Sequence, residues 1–396
     1  MTHPVLSILS DLIAIPSAFP PGDTVAIAAY AADRLEKAGY RVQVLHRDRP
    51  EIANVVAEWD GPAPGPCLMF NAHADTVGIG ERSAWQTDPL AATIIDGRVH
   101  GLGAGNCKGS MAAQLWLADE VARRGGPARG RLVFTFCGDE ENLGPDGARY
   151  LRESGVVKPD MLVVGTQTEN QLITAERGVM WVELSARGRS AHAGNPQEGD
   201  NAILRLMRLV THVDAEMTGR LRARVSGEQR STLNVGLFRG GENTNVVPGA
   251  ARVEIDRRLL PEEKVETAFA EIEALVKAHP EADNLSCRLL TGTNGFRAPH
   301  DGPLVTALCA SIAAVTGTPA RFLPDTGASD GRYFADDGIE IVNFGPGAGW
   351  QGHRANEFVP LDQLLATTAI LEGLVERTLG LPGKPDRALA RRAMTR

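Results

Sequence analysis

The stretch Phe134-Thr-Phe-Cys-Gly-Asp-Glu-Glu141 joins an apolar run to three consecutive carboxylates. Residues Arg131 to Phe136 are rich in β-branched and aromatic types, which predicts a buried strand. The acids follow its carboxyl end, where open α/β sheets place their ligand sites. Because successive residues leaving a strand point to opposite sides, Glu140 and Glu141 can serve different partners, one a metal and the other a substrate or water. An isolated acidic turn is usually only solvated, so the functional interpretation depends on what else converges here.

A second polar group follows another predicted strand. Cys67 to Asn71 has a strand pattern, and Ala72-His73-Ala74-Asp75-Thr76 comes directly after it. His73 and Asp75 are two positions apart and would project from the same side, so Asp75 can orient or polarise a metal-bound His73. A lone His-x-Asp pair is common by chance, and a structural role is an equally good interpretation without further ligands.

A glycine-rich turn, Gly101-Leu-Gly-Ala-Gly-Asn-Cys-Lys-Gly109, leads into a predicted helix from Ser110 to Ala122. Such a turn can bind phosphate at the amino end of a helix. The glycine spacing, however, matches neither Gly-x-Gly-x-x-Gly nor a P-loop. The better interpretation is a close approach of backbone segments that presents Asn106 into a cleft beside Lys108.

Length and charge restrict the class of protein. At 396 residues the chain exceeds the usual size of one domain, so two domains are expected. Its 43% hydrophobic and 23% charged residues are typical of a globular protein with a large core. The formal net charge of -8 argues against nucleic acid as a partner, because proteins that bind phosphate backbones carry basic faces.

The sequence predicts a cytoplasmic protein with no membrane contact. The stretch from Met1 to Asp11 lacks the basic start and long apolar core of a secretory signal, and no later run reaches the length of a membrane-spanning helix. The five cysteines are odd in number and never spaced as Cys-x-x-Cys. This usage fits free thiols in a reducing compartment and predicts neither a disulfide framework nor a zinc finger.

Hydrophobic periodicity divides the chain into three parts. An α/β pattern changes near Arg177 to period-2 strands with helices at Asn201 to Val213 and Glu262 to Ala278, as in a small α+β domain. The α/β pattern resumes at Pro303 and ends with a helix near Leu361 to Leu379. We therefore predict an α/β domain formed by residues 1–177 and 295–396, interrupted by an inserted domain at 178–294.

Seven motifs occur in a fixed order over nearly the whole chain: Ala72-His-Ala-Asp-Thr76, Gly101 to Gly109, Gly138-Asp-Glu-Glu141, Gly188-Arg-Ser-Ala-His192, Asn245-Val-Val-Pro248, Asp256-Arg-Arg258 and Gly345 to Glu357. This ordered set resembles the M20 family of metallo-aminopeptidases, carboxypeptidases and deacylases. The resemblance implies an α/β catalytic domain of the zinc-peptidase type, with an inserted α+β lid domain through which members usually form homodimers.

The resemblance also implies roles for five residues of the catalytic domain. His73 would be a ligand of one zinc ion, with Asp75 polarising it. Glu141 would be a ligand of the second zinc ion, completed by His353. Glu140 would be the general base. Manganese or cobalt are alternatives to zinc.

For the substrate, the resemblance implies five further positions. His192 on the lid would stabilise the oxyanion, often from the partner subunit. The residues that would hold the carboxylate of a small substrate are Asn245, Arg258, Gly345 and Gly347.

Two positions depart from the family pattern. Asn106 stands where the family has a bridging aspartate, and Thr166 stands where it has an acidic ligand. An amide oxygen brings no charge and bridges two cations poorly, so the expected number of metal ions falls from two toward one. Catalytic zinc normally has three protein ligands, and Glu141 and His353 with Asn106 as a weak third would supply one such set. Glu169 and Cys107 are the candidates for a replacement ligand.

These observations predict a metal-dependent amidohydrolase that cleaves the C–N bond of a small carboxylate-bearing substrate, such as an N-acyl amino acid or a dipeptide. One alternative is an altered mononuclear or metal-free site with other chemistry, such as hydrolytic deamination or condensation. Another alternative is a binding protein that has lost hydrolysis. Metal content and chelator-reversible turnover separate these three hypotheses.

Overall fold

The computed structural model of the chain describes residues 3–325 and 327–383, and they form two compact units. The catalytic unit comprises residues 3–174, 298–323 and 329–383. The lid unit comprises Ala175–Arg297 together with Pro324, Asp325, Gly327 and Ala328. The inserted segment is thus slightly longer at both ends than the predicted 178–294, and a short segment after residue 323 groups with it.

Alternating helices and strands make up most of the described chain. The helices are α1 (Pro4–Ala14), α2 (Val25–Lys37), α3 (Lys108–Arg123), α4 (Ala148–Glu153), α5 (Ala202–Leu221), α6 (Val265–Lys277), α7 (Pro303–Thr316) and α8 (Leu361–Thr378). The longer strands are β1 (Arg41–Leu45), β2 (Asn54–Asp60), β3 (Cys67–His73), β4 (Arg131–Cys137), β5 (Met161–Gly165), β6 (Gly178–Arg187), β7 (Thr232–Gly240), β8 (Ala250–Leu259), β9 (Leu285–Thr293) and β10 (Glu340–Phe344).

Shorter elements join these. A three-stranded sheet is formed by Thr93–Ile95, Arg98–His100 and Phe358–Pro360. Two-residue strands pair as Ala18–Phe19 with Thr76–Val77, Ala175–Glu176 with Phe296–Arg297, and Val225–Ser226 with Gln229–Arg230. Single turns of 3-10 helix lie at Arg82–Ala84, Pro196–Glu198, Ala282–Asn284, Asp330–Phe334 and Gly349–Gln351.

The six-stranded sheet of the catalytic unit has the order β10-β5-β3-β4-β2-β1. Strands β10, β5, β3 and β4 are parallel neighbours, whereas β2 and β1 continue the sheet in antiparallel pairs. Because parallel strands end at one edge, the residues after His73, Cys137, Gly165 and Phe344 meet there. This topology, which the sequence does not state, assembles the acidic stretch and the His-x-Asp motif.

The core of the catalytic unit lies between this sheet and its helices, with α3 packed against α1 and α8. Phe70 on β3 and Phe134 on β4 are fully buried neighbours whose rings stack with centroids 5.5 Å apart. Burying an aromatic side chain of this size stabilises the fold by about 1.5–3 kcal/mol. The strand predicted at Arg131 to Phe136 is therefore confirmed as a central, buried strand, one residue longer than expected.

Glycine is required where β5 and β10 end beside the first turn of α3. A Cβ on Gly165 would lie 2.6 Å from the Cβ of Ser110, and a Cβ on Gly345 would lie 2.3 Å from the carbonyl oxygen of Thr166. Real side chains do not tolerate such distances, so these glycines allow three backbone segments to approach at the edge of the sheet.

The lid unit is a four-stranded antiparallel sheet in the order β7-β8-β6-β9, with α5 and α6 packed against it. Helix α5 extends to Leu221 instead of ending at Val213 as predicted, because its apolar stripe continues through Met217 and Leu221. Strand β9 was not predicted. Its first five residues, Leu285 to Leu289, do alternate between apolar and polar types, but the alternation breaks at Leu290 and most of the strand is half-exposed.

No helix within the described residues is both long and apolar enough to cross a membrane. The five cysteines are free thiols, as their spacing predicted.

Candidate active site

The acidic stretch leaves β4 through Asp139, whose φ of 68° turns the chain sharply. The next two residues, Glu140 and Glu141, are fixed by the carboxylate of Asp75. Its Oδ1 accepts the backbone N–H of Glu140 at 3.3 Å, and its Oδ2 accepts that of Glu141 at 3.1 Å. Asp75 therefore holds the backbone from which both glutamates project.

His73 ends β3 and is buried with its ring nitrogens directed at two partners. Nδ1 lies 2.9 Å from the carbonyl oxygen of Asp75 and 3.6 Å from Oδ1 of the same residue. The orienting contact that the sequence suggested for the Asp75 carboxylate is thus made by its backbone carbonyl. Since a carbonyl only accepts, it holds the Nδ1 proton and leaves Nε2 directed toward Asn106.

Glu140, with 11% of its side chain exposed, lies between two cationic or potentially cationic groups. Its Oε2 lies 3.9 Å from Nε2 of His73, and its Oε1 lies 3.8 Å from Nη1 of Arg332. Burial raises the pKa of Glu140 to about 8, although His73 and Arg332 oppose the shift. A cation bound beside the carboxylate would lower this pKa. Both distances exceed hydrogen-bonding range, so the oxygens of Glu140 remain available to a water molecule.

Arg332 is a functional candidate that the sequence did not reveal. It lies in the 3-10 turn Asp330–Phe334 with only 2% of its side chain exposed. Its guanidinium donates to the carbonyl of Ser329 at 3.2 Å and to the hydroxyl of Tyr333 at 2.8 Å. Burial also raises the pKa of Asp330 to about 6. Arginine and aspartate are mostly exposed in proteins, so the local sequence gives no indication of this buried charge cluster.

Asn106 contacts three of the residues predicted to bind metal. Its Nδ2 donates to Oε1 of Glu141 at 2.8 Å and lies 3.1 Å from Nε2 of His353. Its Oδ1 lies 3.3 Å from Nε2 of His73. Nε2 of His353 lies 3.0 Å from Oε1 of Glu141, and this hydrogen bond raises the pKa of His353. Four residues predicted as ligands are therefore adjacent in the structure.

Glu357 positions the glycine-rich turn. Its carboxylate accepts the backbone N–H of Gly103 at 3.0 Å, of Gly105 at 2.9 Å and of Asn106 at 2.6 Å. Burial nevertheless raises the pKa of Glu357 to about 7. Lys108 does not join Asn106 in a cleft as expected, since its buried ammonium donates to the carbonyl of Ile15 at 2.8 Å.

Thr166 brings no charge to the site. Its Oγ1 is buried and has no hydrogen-bond partner among the described residues, as is also true of Nε2 of Gln167. Neither candidate for a replacement ligand joins the cluster of acidic and histidine ligand atoms at His73. The Cys107 thiol donates to the carbonyl of Gly165 at 2.9 Å and also interacts with the ring of His73, whereas Glu169 is exposed.

The two glycines predicted to hold a substrate carboxylate have occupied backbone donors. The N–H of Gly345 donates to Oγ1 of Thr168 at 3.1 Å, and the N–H of Gly347 donates to Oε1 of Gln363 at 2.9 Å. Any contact of this turn with substrate would therefore use other atoms.

In the lid unit, His192 and Asn245 lie on neighbouring backbone segments. His192 pairs with Val246 in an isolated antiparallel bridge, and the N–H of Ala193 donates to the carbonyl of Asn245 at 2.9 Å. Nδ1 of His192 accepts the N–H of Gly194 at 3.0 Å. The neutral ring therefore carries its proton on Nε2, which makes the exposed nitrogen a hydrogen-bond donor.

Arg258 is the penultimate residue of strand β8, and about a third of its side chain is exposed. Its Nε donates to Oδ1 of Asp256 at 2.9 Å. The neighbouring Arg257 is fully buried and pairs with Glu263 at 2.8 Å. Of these two arginines, Arg258 is the one that retains an accessible guanidinium.

Known proteins resemble the chain over most of its length. The family model for Peptidase family M20/M25/M40 matches residues 69–377. The succinyl-diaminopimelate desuccinylase of Bordetella petrii is 31% identical over 388 residues, which are 95% of this chain and 97% of that protein.

An M20 family metallo-carboxypeptidase from Sulfolobus solfataricus has a TM-score of 0.76 at 18% identity, covering 96% of this chain and 100% of its own. A dinuclear metal-binding peptidase of family M20 from Bacillus subtilis has a TM-score of 0.69 at 16% identity, covering 95% and 97%. The two structures establish the shared α/β fold. The family match and the desuccinylase confirm the resemblance given by the motifs, and the chain therefore belongs to peptidase family M20/M25/M40.

Proposed function

We propose that this M20 family hydrolase cleaves the amide C–N bond of a small carboxylate-bearing substrate, such as an N-acyl amino acid or a dipeptide. The observation that carries the proposal is the position of Glu140. Its side chain is only 11% exposed, its oxygens lie beyond hydrogen-bonding distance of His73 and Arg332, and the donor pair formed by Glu141 and His353 is beside it. The similarity to the Bordetella petrii desuccinylase supports removal of an acyl group from nitrogen.

The donor chemistry of the site fits one metal ion. Glu141 and His353 offer a carboxylate oxygen and an imidazole nitrogen 3.0 Å apart, and such N/O sets suit zinc, with manganese or cobalt as alternatives. The position that would hold another ion lacks an acidic ligand of its own, because Thr166 offers only a hydroxyl. A bound ion supplies charge that polarises the substrate carbonyl or a water molecule.

Side chains carry out the proton transfer and stabilise the oxyanion. Glu140 takes a proton from the attacking water and returns it to the leaving nitrogen. The buried charge of Arg332, 3.8 Å from Oε1 of Glu140, favours the carboxylate form of the base. His192 is the proposed oxyanion donor, because its free Nε2 carries a proton.

This proposal is tested with a panel of N-acyl amino acids and dipeptides, assayed with added metal and after chelation. We expect turnover of at least one member that chelator abolishes and added zinc, manganese or cobalt restores. Turnover that survives complete metal removal would favour the metal-free alternative instead. Binding of panel members without turnover would favour the binding protein.

Arg258 and Asn245 are the proposed contacts for the substrate carboxylate. Replacing Arg258 with alanine should raise KM for substrates with a free carboxylate by about ten- to hundredfold, because a charge-assisted hydrogen bond of about 1.5–3 kcal/mol is lost. The methyl esters of the same substrates should change much less. Arg288→Ala, at an exposed arginine on the lid sheet, is the matched control. An equal rise in KM for the acids and their methyl esters would show that Arg258 does not bind the substrate carboxylate.

A homodimer through the lid is the proposed assembly. Strand β7 is an edge strand, and Leu237 and Phe238 on it are 44% and 42% exposed. Exposed apolar edge strands invite pairing with another chain. Leu237→Lys should shift the sedimentation or light-scattering mass toward the monomer. The control Val44→Lys places the same charge on β1, the edge strand of the other sheet, and should have no such effect. An unchanged mass in Leu237→Lys, or dissociation only in the control, would exclude this interface.

The proposed location is the cytoplasm, where reducing conditions keep the five free thiols reduced. The proposed partners are the small-molecule substrate and a second copy of the chain, with no role for nucleic acid or membrane.

A further inference from the structure

The loop of residues 138–147, here called the acid loop, follows β4, carries both glutamates of the site and closes on itself. Asn54, the first residue of β2, joins its two ends. The Oδ1 of Asn54 accepts the backbone N–H of Gly138 at 3.2 Å, and its Nδ2 donates to the carbonyl of Asp146 at 2.7 Å. A Cβ on Gly147 would lie only 2.0 Å from the carbonyl oxygen of Gly138. The two ends of the acid loop are therefore pinned together.

The side chain of Asp139 fills the inside of the acid loop, and none of it is exposed. Its Oδ2 accepts the backbone N–H of Asp146 at 3.1 Å, and its Oδ1 accepts Nδ2 of Asn142 at 3.3 Å. A Cβ on Gly144 would lie 1.8 Å from Oδ2, so that position has room only for glycine. Asp139 itself has a φ of 68°, a left-handed conformation that aspartate adopts more readily than most residues. The acid loop is thus folded around one buried carboxylate.

Arg49 supplies the cation that this buried carboxylate needs. It lies between β1 and β2, and its guanidinium bridges two carboxylates of the acid loop. Its Nη2 donates to Oδ1 of Asp139, and its Nε donates to Oδ2 of Asp146 at 2.7 Å. Removing one partner of a buried ion pair leaves an uncompensated charge, which is strongly destabilising at that place. Without Arg49, the carboxylate of Asp139 would have to move toward water and the acid loop would open.

The backbone of the acid loop decides where the proposed base lies. The carboxylate oxygens of Glu140 are 3.9 Å from Nε2 of His73 and 3.8 Å from Nη1 of Arg332, so neither residue holds them by a hydrogen bond. Asp75 fixes the backbone N–H of Glu140 at 3.3 Å from one side. Arg49 fixes the adjoining residue from the other side. A misplacement of about 1 Å can lower the rate by about a hundredfold, so loosening of this backbone should be visible in kcat.

Resting on the proposed function, in which Glu140 is the base, we infer that Arg49 is a positioning residue that acts on Glu140 through Asp139. It makes the acid loop rigid from the face of the loop opposite to the contact with Asp75. Arg49 takes no part in proton transfer. An exposed ion pair would affect stability only slightly and turnover not at all, whereas this one determines the geometry of the base.

The test compares Arg49→Ala with a matched control. Arg49→Ala should lower kcat by about 10–100-fold with KM nearly unchanged, the usual effect of removing a partner that orients a catalytic group. The control Arg41→Ala removes another arginine of the catalytic unit that bridges two carboxylates, those of Glu58 and Asp60, and should keep its kcat. Arg49→Lys should be intermediate, because an ammonium lacks the planar fork that bridges both carboxylates.

Two further measurements separate positioning from a loss of stability. Arg49 is 31% exposed, so methylguanidinium can enter the vacated position from solvent and should restore part of kcat in Arg49→Ala. In the metal-stripped proteins, amide hydrogen exchange of the acid loop should be faster in Arg49→Ala than in the unaltered chain or in Arg41→Ala. Exchange in β4 should stay the same in all three. This second measurement requires neither metal nor turnover.

An unaltered kcat in Arg49→Ala would overturn the inference. So would a loss of kcat that neither lysine nor methylguanidinium reduces and that no faster exchange in the acid loop accompanies. Should Arg49→Ala fail to fold, Asp139→Asn removes the same charge pair while asparagine tolerates the left-handed backbone, and it should show the same loss of kcat. An unaltered chain without turnover would instead overturn the proposed function, which distinguishes the two failures.

Discussion

Replacing Glu140 with glutamine is expected to lower kcat by about two to four decades, the usual cost of losing a general base. The amide keeps the shape of the side chain but cannot take a proton from water. Nε2 of His73 and Nη1 of Arg332 lie 3.9 Å and 3.8 Å from the carboxylate oxygens, so no hydrogen bond to these two residues is broken. Metal content and KM should therefore stay nearly unchanged, and steady-state kinetics with elemental analysis measure all three quantities.

Two comparisons secure this interpretation. Glu81→Gln makes the same replacement at an exposed glutamate of the catalytic unit and should leave kcat unaltered. Glu141→Gln should instead lose the ion, since it removes a ligand rather than the base. Because burial disfavours a charged carboxylate, Tm of Glu140→Gln should be unchanged or higher, which excludes unfolding as the cause of inactivity. Near-normal kcat in Glu140→Gln would show that another group is the base.

The double replacement Asn106→Asp with Thr166→Glu is expected to raise tight metal binding from about one ion to about two ions per chain. The aspartate restores a charged oxygen that can bridge two cations, and it removes the NH2 group that donates to Glu141. The glutamate supplies the missing acidic ligand beside β5, where Oγ1 of Thr166 is now buried without a partner among the described residues. Elemental analysis and zinc titration measure the change.

Each replacement alone should add less than half of the effect. Asn106→Asp alone restores the bridging ligand but not the acidic ligand at position 166, and Thr166→Glu alone restores that acid but not the bridge. In both cases the position for another ion still lacks one ligand. The control pair Asn284→Asp with Thr218→Glu adds the same charge at exposed positions of the lid and should leave metal content unchanged. Two tight ions in the unaltered protein would refute the expectation. Cys107 and Glu169 would then be the first residues to examine as ligands.

Activity of the double variant adds separate information. If metal content rises and activity toward the native substrate also rises, the asparagine and threonine have weakened an ordinary two-ion hydrolase. If metal content rises while native activity falls, the two residues belong to a different chemistry for which one ion is required. Measurement of both quantities on one preparation therefore tells whether the altered site is weakened or specialised.

The sequence by itself determined the fold class and the family. Each strand that carries a motif has a local apolar pattern, as in Arg131 to Phe136, and each motif is a short run of neighbouring residues. Local patterns also predicted an inserted domain, because the period of the hydrophobic residues changes near Arg177. The two proposed departures from the family pattern, at Asn106 and Thr166, were likewise identified from short local motifs.

Only the tertiary structure decided which partners the site residues have. The carboxylate of Asp75 holds the backbone of Glu140 and Glu141, 65 and 66 positions away, while its carbonyl faces His73. Glu357 fixes the turn that carries Asn106 from 251 positions away. Such contacts depend on which strands are neighbours in the sheet, and no local pattern encodes that order. The burial of Arg332 and the contacts of Asn106 with Glu141, His353 and His73 follow from the same packing. The sequence could therefore name Asn106 as a candidate but not the arrangement around it.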